Sequence, residues 1–174
     1  MAASVISKFT TEIMILLGFF AILCHTALGN SLSNGWGDNI DWVKFDDGVK
    51  LSKESGKPLM LVIHKSWCGA CKSLKPLFAQ SKEIEKLSKN FVMVNTLDDA
   101  EPDDSKYSPD GGYIPRILFQ DSEGNVNKNL YNQAGNAEYK FYYYDPEDIG
   151  TTMKAAIKIY AADGDKKKKP DDEL

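Results

Sequence analysis

The run Lys65-Ser66-Trp67-Cys68-Gly69-Ala70-Cys71-Lys72 decides the reading of this chain. Its C-x-x-C pair directly follows an apolar run, Leu59-Met60-Leu61-Val62-Ile63, which reads as a buried strand. The stretch that follows, Lys72 to Lys89, reads as a helix. The first cysteine therefore falls where a strand turns into a helix N-terminus. Unpaired backbone N–H groups and the positive end of the helix dipole favour a thiolate there. A thiolate is the nucleophile of thiol–disulfide exchange, and a second thiol one helical turn on can close the ring and release the partner.

The chain holds three cysteines. Cys24 lies in an N-terminal segment expected to be removed, which leaves Cys68 and Cys71. Redox exchange, metal binding and a short structural staple are the three readings of such a pair. A zinc site needs about four ligands, and the histidine that remains, His64, is itself on the strand. A staple gains little from so short a ring. The strand–CxxC–helix context favours redox chemistry.

The two ends carry addresses. Ile13 to Leu23 is almost wholly apolar and short for a membrane span. The small residues of Ala27-Leu28-Gly29 follow, so residues 1–29 read as a signal peptide cleaved before Asn30. The alternative is an uncleaved anchor. No later segment is apolar enough to span. Asp171-Asp172-Glu173-Leu174 is close to the Lys-Asp-Glu-Leu address that a retrieval receptor reads in the endoplasmic reticulum. A signal peptide, a redox pair and a retrieval tail all point to an oxidising secretory compartment. No Asn-x-Ser/Thr sequon occurs. Residues 30–174 are one domain's worth, divided here into a folded domain over 30–162 and a flexible tail over 163–174. The formal net charge of -4 argues against nucleic acid. Lys166 to Lys169 reads as a solvated spacer presenting the tail.

Along the expected domain, Asn30 to Asn39 reads as irregular. Asp41 to Ser55 reads as a helix with a stripe of Trp42, Phe45 and Val49, with Leu51 fitting less regularly, and Gly56 ends it. Pro58 opens the strand Leu59 to His64. The second helix starts at Cys68, carries Leu74, Leu77 and Phe78 on one face, and is kinked by Pro76. Lys82 to Lys89 continues it, and Phe91 to Thr96 is a buried strand. Asp98 to Gly112 is a loop dense in acids over 98–104. It reads as a solvated acidic surface and lacks the ordered spacing of an EF-hand. Ile114 to Gln120 is a strand with Pro115 at its start. Asp121 to Asn125 is a hairpin turn, and Asn127 to Tyr131 is the returning edge strand. Of the segment 132–144, only the run Phe141 to Tyr144 is legible, as packing or as a peptide-binding surface. Pro146 to Ala161 is the last helix, with Asp145 as cap and a stripe of Met153, Ile157 and Tyr160.

These motifs resemble the thioredoxin superfamily. Trp67-Cys68-Gly69-Ala70-Cys71-Lys72 is similar to its active-site turn, Pro76 to the proline of its active-site helix, and Ile114-Pro115 to its cis-proline dipeptide. His64 to Cys71, Gly111 to Phe119 and the Glu-Leu terminus resemble more closely the small single-domain thioredoxins of the endoplasmic reticulum, relatives of the anterior gradient proteins. The resemblance implies an α/β thioredoxin fold, a central mixed sheet flanked by helices in a single domain. It implies a glutathione-linked protein-disulfide oxidoreductase acting on secretory-pathway clients, with Cys68 as nucleophile and Cys71 as resolving thiol. It implies a cis Pro115, and a substrate edge made by Trp67, Gly69, Ala70, Ile114 and Pro115. It implies no metal and no cofactor beyond the cysteine pair, with glutathione as redox partner. A cis X-Pro bond costs little and turns the chain sharply, so the Ile114 backbone can pair with an extended client segment.

One residue departs from that pattern. The family has a buried carboxylate six residues before the nucleophile, and Val62 stands there. His64 and Lys65 are the candidates to move the resolving thiol's proton instead, although a packed or solvated His64 is the plainer reading. Arg116, the chain's single arginine, reads as an ordinary strand-exposed cation. A rival reading is a chaperone-like peptide-binding module, against which the retention of both cysteines argues.

Overall fold

A computed structural model describes residues 31–168, with side chains over 32–162. The expected signal peptide with Cys24, and the retrieval tetrapeptide Asp171–Leu174, lie outside the described residues. Four strands form one sheet in the order β1-β3-β2-β4: β1 (Trp42–Val43), β2 (Leu59–His64), β3 (Val92–Leu97) and β4 (Arg116–Gln120). The first three are parallel, and β4 runs antiparallel to β2 with Ile63 opposite Arg116. Every residue of β2 is buried, as befits a central strand covered on both faces.

Alternation along β2 divides the core. Met60 and Val62 face a cluster with Leu74 and Phe78 of α2 (Gly69–Gln80), Ile84 of α3 (Lys82–Ser88) and Ile149, Met153 and Ala156 of α4 (Pro146–Lys168). Leu59, Leu61 and Ile63 face the other cluster, which takes Phe45 and Val49 of α1 (Phe45–Ser55) together with Tyr107 and Phe141. Helices thus cover both faces of a mixed sheet. Among the described residues, no helix is long and apolar enough to cross a membrane.

Several boundaries differ from the sequence reading. Trp42 belongs to the edge strand, not to the first helix. Lys44 is extended (φ -65°, ψ 155°) and the helix begins at Phe45. An edge strand of two residues carries no period of its own, so pairing with Met93 and Val94 decided it. Gly48 lets α1 lie on the sheet, since a Cβ there would stand 2.5 Å from Val94 Cγ2. Leu77 is half exposed rather than on the buried face of α2. The stretch after Cys68 is two helices, separated where extended Ser81 accepts from the Ile84 N–H at 3.3 Å. Asp145 caps α4, accepting from the Glu147 N–H at 2.9 Å, and that helix runs on to Lys168.

The returning edge strand at 127–131 is absent. Past the turn, pairing reduces to the bridge Gln120–Val126 and the bond from Asn127 N–H to Phe119 C=O. The chain then turns to bury Leu130 against the core. The outer side of β4 is met instead by Phe141, whose carbonyl accepts from the Ile117 N–H at 3.0 Å. Of the aromatic run, Phe141 and Tyr143 are buried and Tyr144 is exposed.

Candidate active site

The C-terminal ends of the parallel strands β2 and β3, the start of α2 and the loop before β4 converge on the cysteine pair. Cys68 is the N-cap of α2, and Cys68 and Cys71 are joined as a disulfide. Cys68 Sγ accepts from the Cys71 N–H at 3.0 Å. That donor is one of the orphan amides of the helix start, and it would stabilise Cys68 as a thiolate in the reduced form. Cys68 is 5% exposed, against 1% for Cys71. Cys68 is thus the more exposed residue of the pair. Its Sγ lies 3.8 Å from the carbonyl oxygen of Ile114, and the Ile114–Pro115 peptide bond is cis.

The other sequence-designated residues frame this pair. Trp67 is 71% exposed. Gly69 is exposed, with nothing within 4 Å of where a side chain would begin. Ala70 and Ile114 are half-buried and Pro115 is buried. Trp67 and Gly69 make an exposed edge beside the pair. The groove of about 530 Å³ beside it is lined by Phe45, Asn95, Thr96 and Glu101 and by neither cysteine. An edge suits an extended polypeptide, whose backbone can pair with Ile114.

Val62 is fully buried among apolar side chains, so no carboxylate lies at that position. His64 is also fully buried, its ring 5.2 Å from that of Trp36. Its Nε2 lies 3.2 Å from Asn95 Oδ1. The Asn95 amide nitrogen donates to the Leu32 carbonyl at 2.8 Å, and its oxygen accepts from Asn34 at 2.7 Å. The Asn95 oxygen therefore faces the ring, and His64 Nε2 carries the hydrogen. Nδ1 keeps a bare lone pair, with no hydrogen-bond partner among the described residues. Burial pushes the His64 pKa down to about 4, against the support of Asn95. The imidazole is neutral near pH 7.

Lys65, the other candidate proton carrier, is committed elsewhere. Its ammonium lies 2.6 Å from Glu101 and donates to the Asp98 carbonyl at 2.7 Å. Arg116 is 1% exposed and not a strand-surface cation. The antiparallel register directs it inward, where a buried charge needs a partner. It donates to Glu101, to the Tyr113 carbonyl at 2.6 Å and to the Tyr107 carbonyl at 3.1 Å. The acidic loop is accordingly not a plain solvated surface. Asp98, at φ +52°, turns its carboxylate to accept from the Ser66 N–H at 2.7 Å. That bond holds its carboxyl below the usual range. Burial alone would raise Glu101, but hydrogen bonds from Lys65 and Arg116 outweigh it and hold its carboxyl low as well. Among the described residues, no three His, Cys, Asp or Glu side chains converge as metal ligands. Sequence reasoning missed Asp98, Glu101 and Asn95. Acids in a polar loop look like solvated surface until their partners are placed.

A mixed sheet between helices, a cysteine pair capping a helix and a cis-proline opposite it together define the thioredoxin-like class. A family model described as thioredoxin-like matches residues 41–122. Among solved structures, the DsbH oxidoreductase superposes with a TM-score of 0.51 at 20% identity, covering 71% of this chain and 88% of that one. A thioredoxin from Thermus thermophilus gives 0.51 at 15% identity, over 72% and 93%. Among curated proteins, the Homo sapiens anterior gradient protein 2 homolog is 38% identical over 136 residues, 76% of this chain and 75% of its own. Anterior gradient protein 3 of Mus musculus is 37% identical over 134 residues, 74% and 78%. The chain belongs to the family of thioredoxin-like anterior gradient proteins.

Proposed function

We propose that the chain is a thiol–disulfide oxidoreductase of the endoplasmic reticulum lumen, similar to thioredoxin domain-containing protein 12. Its substrates are thiols and disulfides of secretory-pathway proteins. The observation that carries this reading is the Cys68 sulfur. It caps α2, accepts the Cys71 N–H at 3.0 Å and lies 3.8 Å from the Ile114 carbonyl. In the reducing direction the Cys68 thiolate attacks a client disulfide, forming a mixed disulfide and expelling one client thiolate. The Cys71 thiolate then attacks Cys68 Sγ, releases the second client thiolate and closes the Cys68–Cys71 disulfide. Two electrons pass to the client, and glutathione restores the pair. The oxidising direction is the reverse sequence.

Trp67 flanks the edge at which the client approaches, Gly69 and Ala70 shape the turn, and Ile114 and Pro115 present the backbone. Residues 1–29 act as the signal peptide, and Asp171–Leu174 engage the retrieval receptor. In cells, Cys71→Ser should accumulate reducible high-mass adducts on non-reducing gels of alkylated lysate, and Cys68→Ser should not. Equal trapping by both variants, or stronger trapping by Cys68→Ser, overturns the assigned roles. Cycling with glutathione alone, with no adduct from either variant, would make small thiols the substrates.

A further inference from the structure

Two walls face each other across the redox site. One is the turn Lys65–Cys68 leaving β2. The other is the Tyr113–Arg116 segment bearing cis Pro115. They belong to different parts of the sequence, and one charged cluster spans both. Glu101 contacts Lys65 at 2.6 Å on the first wall and Arg116 on the second. Arg116 also grips the carbonyl of Tyr113, so its guanidinium holds both flanks of the Ile114–Pro115 dipeptide. Asp98 adds two bonds to the first wall, from Lys65 Nζ to its carbonyl and from Ser66 N–H to its carboxylate. Arg116 is 1% exposed, and Glu101 is the one carboxylate among its described partners. A buried guanidinium that loses its counter-charge seeks another partner or moves. Release of Glu101 would therefore remove the charged link between the two walls, leaving Lys65 on the Asp98 carbonyl and Arg116 on the Tyr113 and Tyr107 carbonyls.

We infer that Glu101 is a positioning residue that sets the spacing between the redox turn and the cis-proline wall, and so governs how an extended polypeptide seats beside Cys68. This rests on the oxidoreductase reading above. Glu101 touches neither sulfur. A small disulfide needs only the Cys68 sulfur, whereas a peptide must also pair with Ile114, so the two substrates separate positioning from chemistry.

The test uses residues 30–174, with a synthetic peptide closed by one disulfide and with glutathione disulfide. Glu101→Gln keeps the shape and removes the charge. Glu101→Asp keeps the charge but is too short to reach both cations. In each, the peptide-to-glutathione ratio of kcat/KM should fall about tenfold, through KM for the peptide rather than kcat. A parallel loss on both substrates, or an unchanged ratio in a folded variant, overturns the assignment while leaving the redox reading intact. If neither variant folds, the carboxylate is a folding element and the assignment falls. A parent protein that turns over neither substrate overturns the oxidoreductase reading and this one with it.

Discussion

Acidification should weaken the fold through His64 before it reaches the carboxylates. The ring is fully buried, its Nε2–H is bonded to Asn95, and its Nδ1 has no described partner. Burial lowers its pKa from 6.5 to about 4. The unfolded chain takes up a proton as the pH falls through 6.5, and the folded chain does not do so until about 4. Below 6.5 the unfolded state binds more protons, so stability is fully present above that pH and is lost between 6.5 and about 4. At about 1.4 kcal/mol per factor of ten in proton affinity, that interval amounts to about 3 kcal/mol. About 2 kcal/mol should already be gone at about pH 5, a large share of an ordinary domain's stability. The groups acting on the ring besides Asn95 are Lys75, Asp98 and Lys65. Asp98 and Glu101, both held low, contribute stability that fades only below the ordinary carboxylate range. The assay is urea unfolding of the oxidised protein, followed by far-UV circular dichroism, from about pH 7.5 to about pH 5. The midpoint of the parent should fall by about 1 M or more. His64→Leu removes the titrating ring at similar volume, and its midpoint should be nearly flat over the same range. A His64→Leu protein as pH-sensitive as the parent would refute the reasoning.

Gly48→Ala should cost about 1–3 kcal/mol, because the new methyl would stand 2.5 Å from Val94 Cγ2 and 3.2 Å from Val43 Cγ2. A thermal midpoint unchanged from the parent's would show that α1 lifts off freely. Val62→Glu places an acid among Met60, Leu74 and Phe78, so stability should fall by about 2 kcal/mol or more. In whatever fraction folds, the pH dependence of resolution by Cys71 should change more than that of attack by Cys68. Stopped-flow pH–rate profiles identical to the parent's would place this position away from the proton path. Deletion of Asp171 to Leu174 should send the protein into the medium of expressing cells. Continued retention would sink the retrieval reading.

The local signals were legible in the chain itself. The apolar run ahead of Cys68, the helix period after it and Pro115 opening the last strand each rest on residues close in sequence. Their geometry follows from strand alternation and helix capping. The same locality explains the misreadings. Trp42 fits a helical stripe as well as an edge strand, and only its pairing with Met93 separates the two. Asn127 to Tyr131 looks like a returning strand until Leu130 turns into the core. Arg116 and Glu101, fifteen residues apart, read as two surface charges. The antiparallel register of β4 against β2 buries the arginine, and the loop after β3 brings the carboxylate to it. His64 is a plain strand residue until the Leu32–Trp36 segment closes over it through Asn95. Chain neighbours determine which cysteine caps the helix. Which charges lie across the site, and which histidine stays neutral, depends on groups brought together only when the sheet assembles, because burial and charge pairing are properties of space rather than of sequence.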